Sequence, residues 1–232
     1  MNDISGKVLR TVGIIFFGFA AIMNLLGGVG TSCAAFLTSD YPSFIALVEQ
    51  NMQWLYQGLV ITTVLIGLAG IWVLIELIRG KRNGFRNALI VLVIGTVLAG
   101  IQYYFSLQLF GRAAPANIKF YINVVTLSLF MIFLIPGVRE RVNFSRDEMS
   151  MDMNTAGGLA AIVMGLILLT TPYWTGPSHT YQGENWVNLL QVELNISGIL
   201  LVVGGIALLV QAIVDILWPT YAYARLGVPK DS

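Results

Sequence analysis

The sequence predicts an all-α, polytopic transmembrane bundle of six helices with both termini on the cytoplasmic side. Three observations carry that reading. Of 232 residues, 56% are hydrophobic and only 11% are charged, whereas an ordinary soluble domain carries about 25% charged residues. Mean hydropathy is +0.77, and the apolar runs reach the roughly 20 helical residues needed to cross a hydrocarbon core. Finally, the cationic residues gather on one side of those runs.

Taken in order, the first predicted span is Thr11 to Gly30. Lys7 and Arg10 before it imitate a signal peptide, and Gly30-Thr31-Ser32-Cys33 faintly imitates a lipoprotein cleavage box. Gly30 stands where a large aliphatic residue is required, so the span is expected to be retained as a helix. In the following loop, Thr31 to Gln53, Phe44, Leu47 and Val48 recur at helical spacing and predict a short interfacial helix. The second and third spans are Trp54 to Ile78 and Asn87 to Phe110. A run such as Ala88 to Ile94 lacks the alternation of a barrel strand and reads as helix. Phe120 to Gly137, Ala156 to Tyr173 and Leu189 to Trp218 complete the six. The chain reads as one membrane domain over 1–232, with mixed-charge Val138 to Asn154 and polar Thr175 to Asn188 as its longer late connections.

Orientation follows from the cations. Lys7, Arg10, Arg79, Lys81, Arg82, Arg86, Arg139, Arg141, Arg146, Arg225 and Lys230 fall on one side; the other side has Arg112 and Lys119. Cationic loops stay in the cytoplasm, which predicts a cell membrane of bacterial inner-membrane type with both tails inside. Trp54, Tyr56, Tyr103, Tyr104, Tyr121, Tyr173, Trp174 and Trp186 then mark the outer headgroup level, where a ring with one polar edge settles.

Each helix also presents a small or polar stripe. At 100° per residue, Glu193, Ser197, Gly204, Gln211 and Asp215 fall within about 40° of one another. Gly58, Thr62, Ala69 and Glu76 do the same on the second span; the first offers Gly13, Ala20, Asn24 and Gly27, and the third Gly95, Ala99, Gln102 and Ser106. Such stripes are expected to face protein, because small residues let backbones approach and amides then find partners. Glu193 reads as near the outer end, Glu76 and Asp215 near the inner end, and no ionisable residue is expected at mid-depth. All seven prolines are expected in loops or at span ends.

Chemistry is sparse. The sequence contains no HExxH, GxSxG, Walker or CxxC pattern. One histidine cannot supply two haem ligands, and one cysteine cannot hold an iron–sulfur cluster. No cofactor and no metal site is expected. A net charge of +1 without a basic block points away from nucleic acid. The leading expectation is a non-enzymatic subunit or scaffold of a membrane complex, its partners being the lipid bilayer, other membrane subunits or further copies of itself. A second expectation is a small transport component or lipophilic-ligand binder with its site at the outer end, formed by Glu49, Trp54, His179, Glu184 and Glu193. A third, weaker on two lone residues, is an enzyme using His179 with a carboxylate or with Cys33.

Overall fold

The computed structural model describes residues 4–38, 45–111, 116–142, 144, 150–176, 180–181 and 184–226. Helix α1 runs Ile4–Gly30, followed by the short α2 (Ser32–Phe36) and α3 (Ile45–Glu49). The long α4 (Gln53–Ile78) and α5 (Gly84–Phe110) come next, then α6 (Ala116–Ile132) and α7 (Pro136–Val142). Helix α8 (Ser150–Thr175) leads through a minimal hairpin, β1 (Thr180–Tyr181) and β2 (Glu184–Asn185), and a 3-10 turn (Trp186–Leu190) into α9 (Gln191–Leu226). Among the described residues, five helices are long and apolar enough to cross a membrane, or six if the bent pair α6 and α7 forms one span.

The helix ends have local causes. After α4, Gly80 takes φ of 60°. Its N–H then reaches the Leu77 carbonyl at 3.1 Å, and the Lys81 N–H reaches the Glu76 carbonyl at 2.9 Å. This double closure satisfies the last carbonyls and needs a residue that tolerates the left-handed region. Gly111, at φ of 63°, ends α5 in a similar way. The fourth helix departs from its sequence boundaries at both ends. It begins at Ala116 rather than Phe120, and it stops at Ile132 rather than Gly137. Pro136 disfavours helix in the residue before it and fits the first position of a new one, so α7 turns away by 98°.

Helix α1 lies centrally, against α4, α6 and α8, and over half (56%) of its apolar window is buried. Small residues set its spacing from α4. A methyl group added at Gly67 would lie 2.7 Å from the Leu25 backbone nitrogen, and one at Gly70 would lie 2.8 Å from Ala21 Cβ. Between hydrocarbon tails, helices gain little from hiding apolar surface, and such close backbone contact becomes the main attraction. Ile14, Phe17, Leu74, Leu77, Leu92, Phe130 and Phe133 fill the core. A smaller cluster of Ala35, Leu47, Tyr56 and Val60 seats α2 and α3 on α4. The short helix expected after the first span therefore exists, with Leu47 buried and Val48 exposed; Phe44 lies outside the described residues.

Helix α9 pairs with α8 through an antiparallel glycine seam. Added methyl groups at Gly158 and Gly205 would each meet the other's carbonyl oxygen, at 2.8 and 2.6 Å, and Gly165 and Gly198 repeat the relation at 2.7 and 3.0 Å. Leu194 and Ala212 extend that buried face. Only 17% of the α9 apolar window is buried.

Two ends of the bundle can be distinguished. The cationic end carries Arg79, Lys81 and Arg82 in the α4–α5 turn, Arg86 in the first turn of α5, and Arg139 and Arg141 on α7. The far end carries α2, α3 and the start of α6.

Candidate functional site

The polar residues of four helices meet inside the bundle, and Lys119 is their centre. It belongs to the first turn of α6, not to a loop, and it is 1% exposed. From the sequence it counts among the cations of the outer side, before a span that starts at Phe120; the structure puts it inside the helix. The missed signal is a stripe: Lys119, Asn123, Thr126 and Phe130 stand at i, i+4, i+7 and i+11 and are all buried. A span boundary drawn at Phe120 cut off its first member.

Gly27 of α1 makes room for the lysine stem, since a methyl group there would lie 3.0 Å from Lys119 Cδ. The amine donates to Gln102 Oε1 on α5 and, at 3.4 Å, to Thr63 Oγ1 on α4. Among the described residues no carboxylate stands within ion-pair distance of it. Thr63 is ten residues into α4, so the amine lies on the order of 15 Å below the far end of that helix. From the sequence, no ionisable residue is expected at mid-depth; Lys119 is an ionisable residue enclosed among α1, α4, α5 and α6, which it enters from the first turn of α6. A cation at such depth costs about 3 kcal/mol on insertion scales unless partners receive it; here Gln102 and Thr63 do.

One turn along α6, Asn123 faces Asn24 of α1 across Gly95 of α5. Asn24 Nδ2 donates to Asn123 Oδ1 at 3.0 Å, and Asn123 Nδ2 returns a bond to Asn24 Oδ1 at 3.1 Å. Their remaining amide hydrogens reach the Ala20 carbonyl at 2.9 Å and the Lys119 carbonyl at 2.8 Å. A methyl group at Gly95 would lie 2.8 Å from Asn123 Oδ1, so only glycine leaves space for the pair. Further along, Thr126 donates to the Phe16 carbonyl at 3.3 Å. Towards the far end, Tyr56 and Ser106 share a 2.8 Å hydrogen bond. Tyr56 is thus a buried core residue, not part of an interfacial belt.

The arrangement cross-ties α1, α4, α5 and α6 with side chains that satisfy one another. A fully satisfied buried network fixes the register of the helices that contribute to it. The stripes expected on the first and third spans do face protein: Ala20, Asn24, Ala99, Gln102 and Ser106 are buried. On α4 the pattern is off by one position towards the far end, with Thr63 inside and Gly58 and Thr62 exposed, whereas Glu76 at the other end is buried. On α9 the stripe is not buried within the chain. Glu193, Ser197, Gly204 and Gln211 are all exposed, because the glycine seam lies about a quarter turn round the helix and takes the contact with α8 instead.

Of the five residues expected to form an outer-end site, the structure describes the side chains of three. Glu49 ends α3 and is exposed; Trp54 opens α4 at 66% exposure; Glu193 is exposed in the first turn of α9. No described hydrogen bond or ion pair joins these three. Glu184 lies on β2, its side chain outside the described set, and His179 lies outside the described residues altogether, as does any pairing of it with Cys33. Among the described residues, no three of His, Cys, Asp and Glu stand close enough to hold a metal ion.

At the cationic end, Glu76 is buried beside Lys81, 3.7 Å away, and accepts from Asn87 Nδ2 at 2.8 Å. Near it, a cleft of about 260 Å³ is lined by Arg82, Phe85, Arg86, Phe133, Arg139, Val142 and Phe144. No known protein family matches the sequence, and no curated protein or solved structure is significantly similar to it.

Proposed function

We propose that the protein is a non-enzymatic, multi-pass subunit of a cell-membrane assembly, and that a second copy of the chain packs on α9. The observation that carries this reading is the open face of α9. A helix apolar enough to cross a bilayer exposes Ser197, Gly204 and Gln211 at seven-residue spacing, with Glu193 in line beyond them. Nothing lies within 4 Å of the space above Gly204. Left against lipid, the Gln211 amide and Ser197 hydroxyl lack partners.

A second copy supplies them. Two chains related by a two-fold axis along the membrane normal bring like residues to the same depth. An amide is both donor and acceptor, so Gln211 complements Gln211, and Ser197 complements Ser197 in the same way. Gly204 between them lets the backbones cross closely, and Glu193 falls near the helix end, where headgroups and water reach it. Orientation follows the cation bias: the cationic end is cytoplasmic, and both tails share that side.

The test is to count subunits. Fluorescently labelled protein reconstituted at low density should bleach in two steps, and Gly204→Leu combined with Gln211→Leu should bleach in one. Wild-type protein that bleaches in a single step would refute the proposal. Orientation is checked separately. In a Cys33→Ser background, a membrane-impermeant thiol reagent applied to intact cells should spare Lys81→Cys and Arg141→Cys.

A second reading, a transport component or ligand binder at the far end, is favoured by Lys119 alone, since a deep ionisable residue is a common mark of a substrate path. The two readings part at Lys119→Met. A structural role predicts lower thermal stability with any cellular phenotype kept in proportion to protein level; a ligand role predicts lost phenotype at normal abundance.

A further inference from the structure

The cleft at the cationic end has a composition that neither the buried network nor the α9 face explains. Arg82, Arg86 and Arg139 form its polar lining, and Phe85, Phe133, Val142 and Phe144 form its apolar one. The rings make an aromatic floor: Phe85 stacks on Phe144 at 5.3 Å with an interplanar angle of 27°, and Phe133 lies 6.1 Å from Phe144, tilted by 49°. The three arginines come from two elements, the α4–α5 turn with the start of α5, and α7. They meet because α7 turns back by 98° after α6.

All three arginines are exposed, and among the described residues none has a carboxylate within ion-pair distance. The buried carboxylate of this end, Glu76, is already engaged by Lys81 and Asn87. The cleft therefore concentrates three planar, permanently charged donors that nothing in its described lining neutralises. Guanidinium groups bind phosphate oxygens through paired N–H donors, and a desolvated aromatic floor beside them strengthens that attraction. The amino end of α5 opens into the same region without a side-chain cap at Asn83, which adds positive potential of the same sign.

We infer that this cleft is a binding site for a phosphate-bearing anion, held by Arg82, Arg86 and Arg139 over the Phe85–Phe133–Phe144 floor. A rim of cations over an apolar base suits the phosphodiester of an anionic phospholipid, whose first methylene groups cover the rings while its phosphate takes the arginines. A free phosphate uses the rim alone.

The experiment measures thermal unfolding of the full chain in a neutral detergent. Three additions are titrated: a phosphatidylglycerol, a phosphatidylcholine and inorganic phosphate. A saturable rise in Tm with phosphatidylglycerol, absent with phosphatidylcholine, supports a lipid occupant. An equal rise with inorganic phosphate alone supports the site and identifies a free oxyanion as its occupant. Each of Arg82→Gln, Arg86→Gln and Arg139→Gln should weaken the half-saturation concentration on the order of ten-fold. Arg79→Gln, an exposed cation of the same turn outside the cleft, should leave it within about two-fold. Equal losses from Arg79→Gln and the lining variants would overturn the inference, since general charge attraction then suffices. So would an unchanged response in the triple variant. Should a Gln variant fold poorly, Arg139→Lys keeps the charge but removes the paired donors, and should still weaken binding.

Discussion

Helices α5 and α9 carry nearly the same pattern and use it in opposite ways. On α5, Gly95, Ala99, Gln102 and Ser106 turn inward, and the amide and hydroxyl find Lys119 and Tyr56. On α9, Ser197, Gly204 and Gln211 turn outward, although the helix is as apolar and as long. What separates them is the neighbour. Helix α5 is held between α4 and α6, whose own polar stripes meet it, whereas α9 is held chiefly by α8, through glycines. A stripe of small and polar residues therefore does not by itself say which face of a helix packs inside its own chain. When a second, tighter glycine stripe exists on the same helix, the intramolecular contact goes there, and the polar stripe is left facing outward.

That contrast can be broken most severely at the seam. Gly205→Leu drives a branched side chain into the Gly158 carbonyl and should separate α9 from α8, with a loss of about 3 kcal/mol or more. Denaturation in mixed micelles should show it as an early, non-cooperative transition. Next in size is the buried pair. Asn123→Leu removes one amide and strands the other, which should cost about 1–3 kcal/mol by the same measurement. Adding Asn24→Leu should cost less than the sum of the two single changes, because the second substitution removes the stranded group. On α9, Gln211→Leu should change monomer stability by no more than about 0.5 kcal/mol and yet reduce the two-step bleaching fraction. The smallest effect belongs to Lys81→Gln. Its ion pair with Glu76 is long and its side chain half exposed, so a loss of about 0–1 kcal/mol is expected.

Much of this was legible from residues alone, and the misses have physical reasons. Long apolar runs fix helices because backbone groups in lipid must bond within their own segment, and α4 and α5 fall where those runs do. The inward faces of α1 and α5 followed from i, i+4, i+7 spacing. Lys119 was hidden by a span boundary, since a charge four residues after Pro115 looks like a loop residue until Asn123 and Thr126 are placed on its face. Its burial also depends on Gly27, on another helix, which spacing within α6 cannot reveal. The outward turn of α9 was illegible because two stripes compete on one helix, and only the α8 glycines decide between them. The arginine cleft required the bend at Pro136, whose direction no local pattern specifies.

The division between an inward and an outward stripe is tested most directly by cross-linking in the membrane. In a Cys33→Ser background, Ser197→Cys and Gln102→Cys stand for the two faces. Mild oxidation should join two copies of the Ser197→Cys protein into a disulfide-linked dimer and leave the Gln102→Cys protein single. Both proteins remaining single, with Ser197→Cys instead modified freely by a lipid-soluble maleimide, would show that the α9 stripe meets only lipid and would contradict the account.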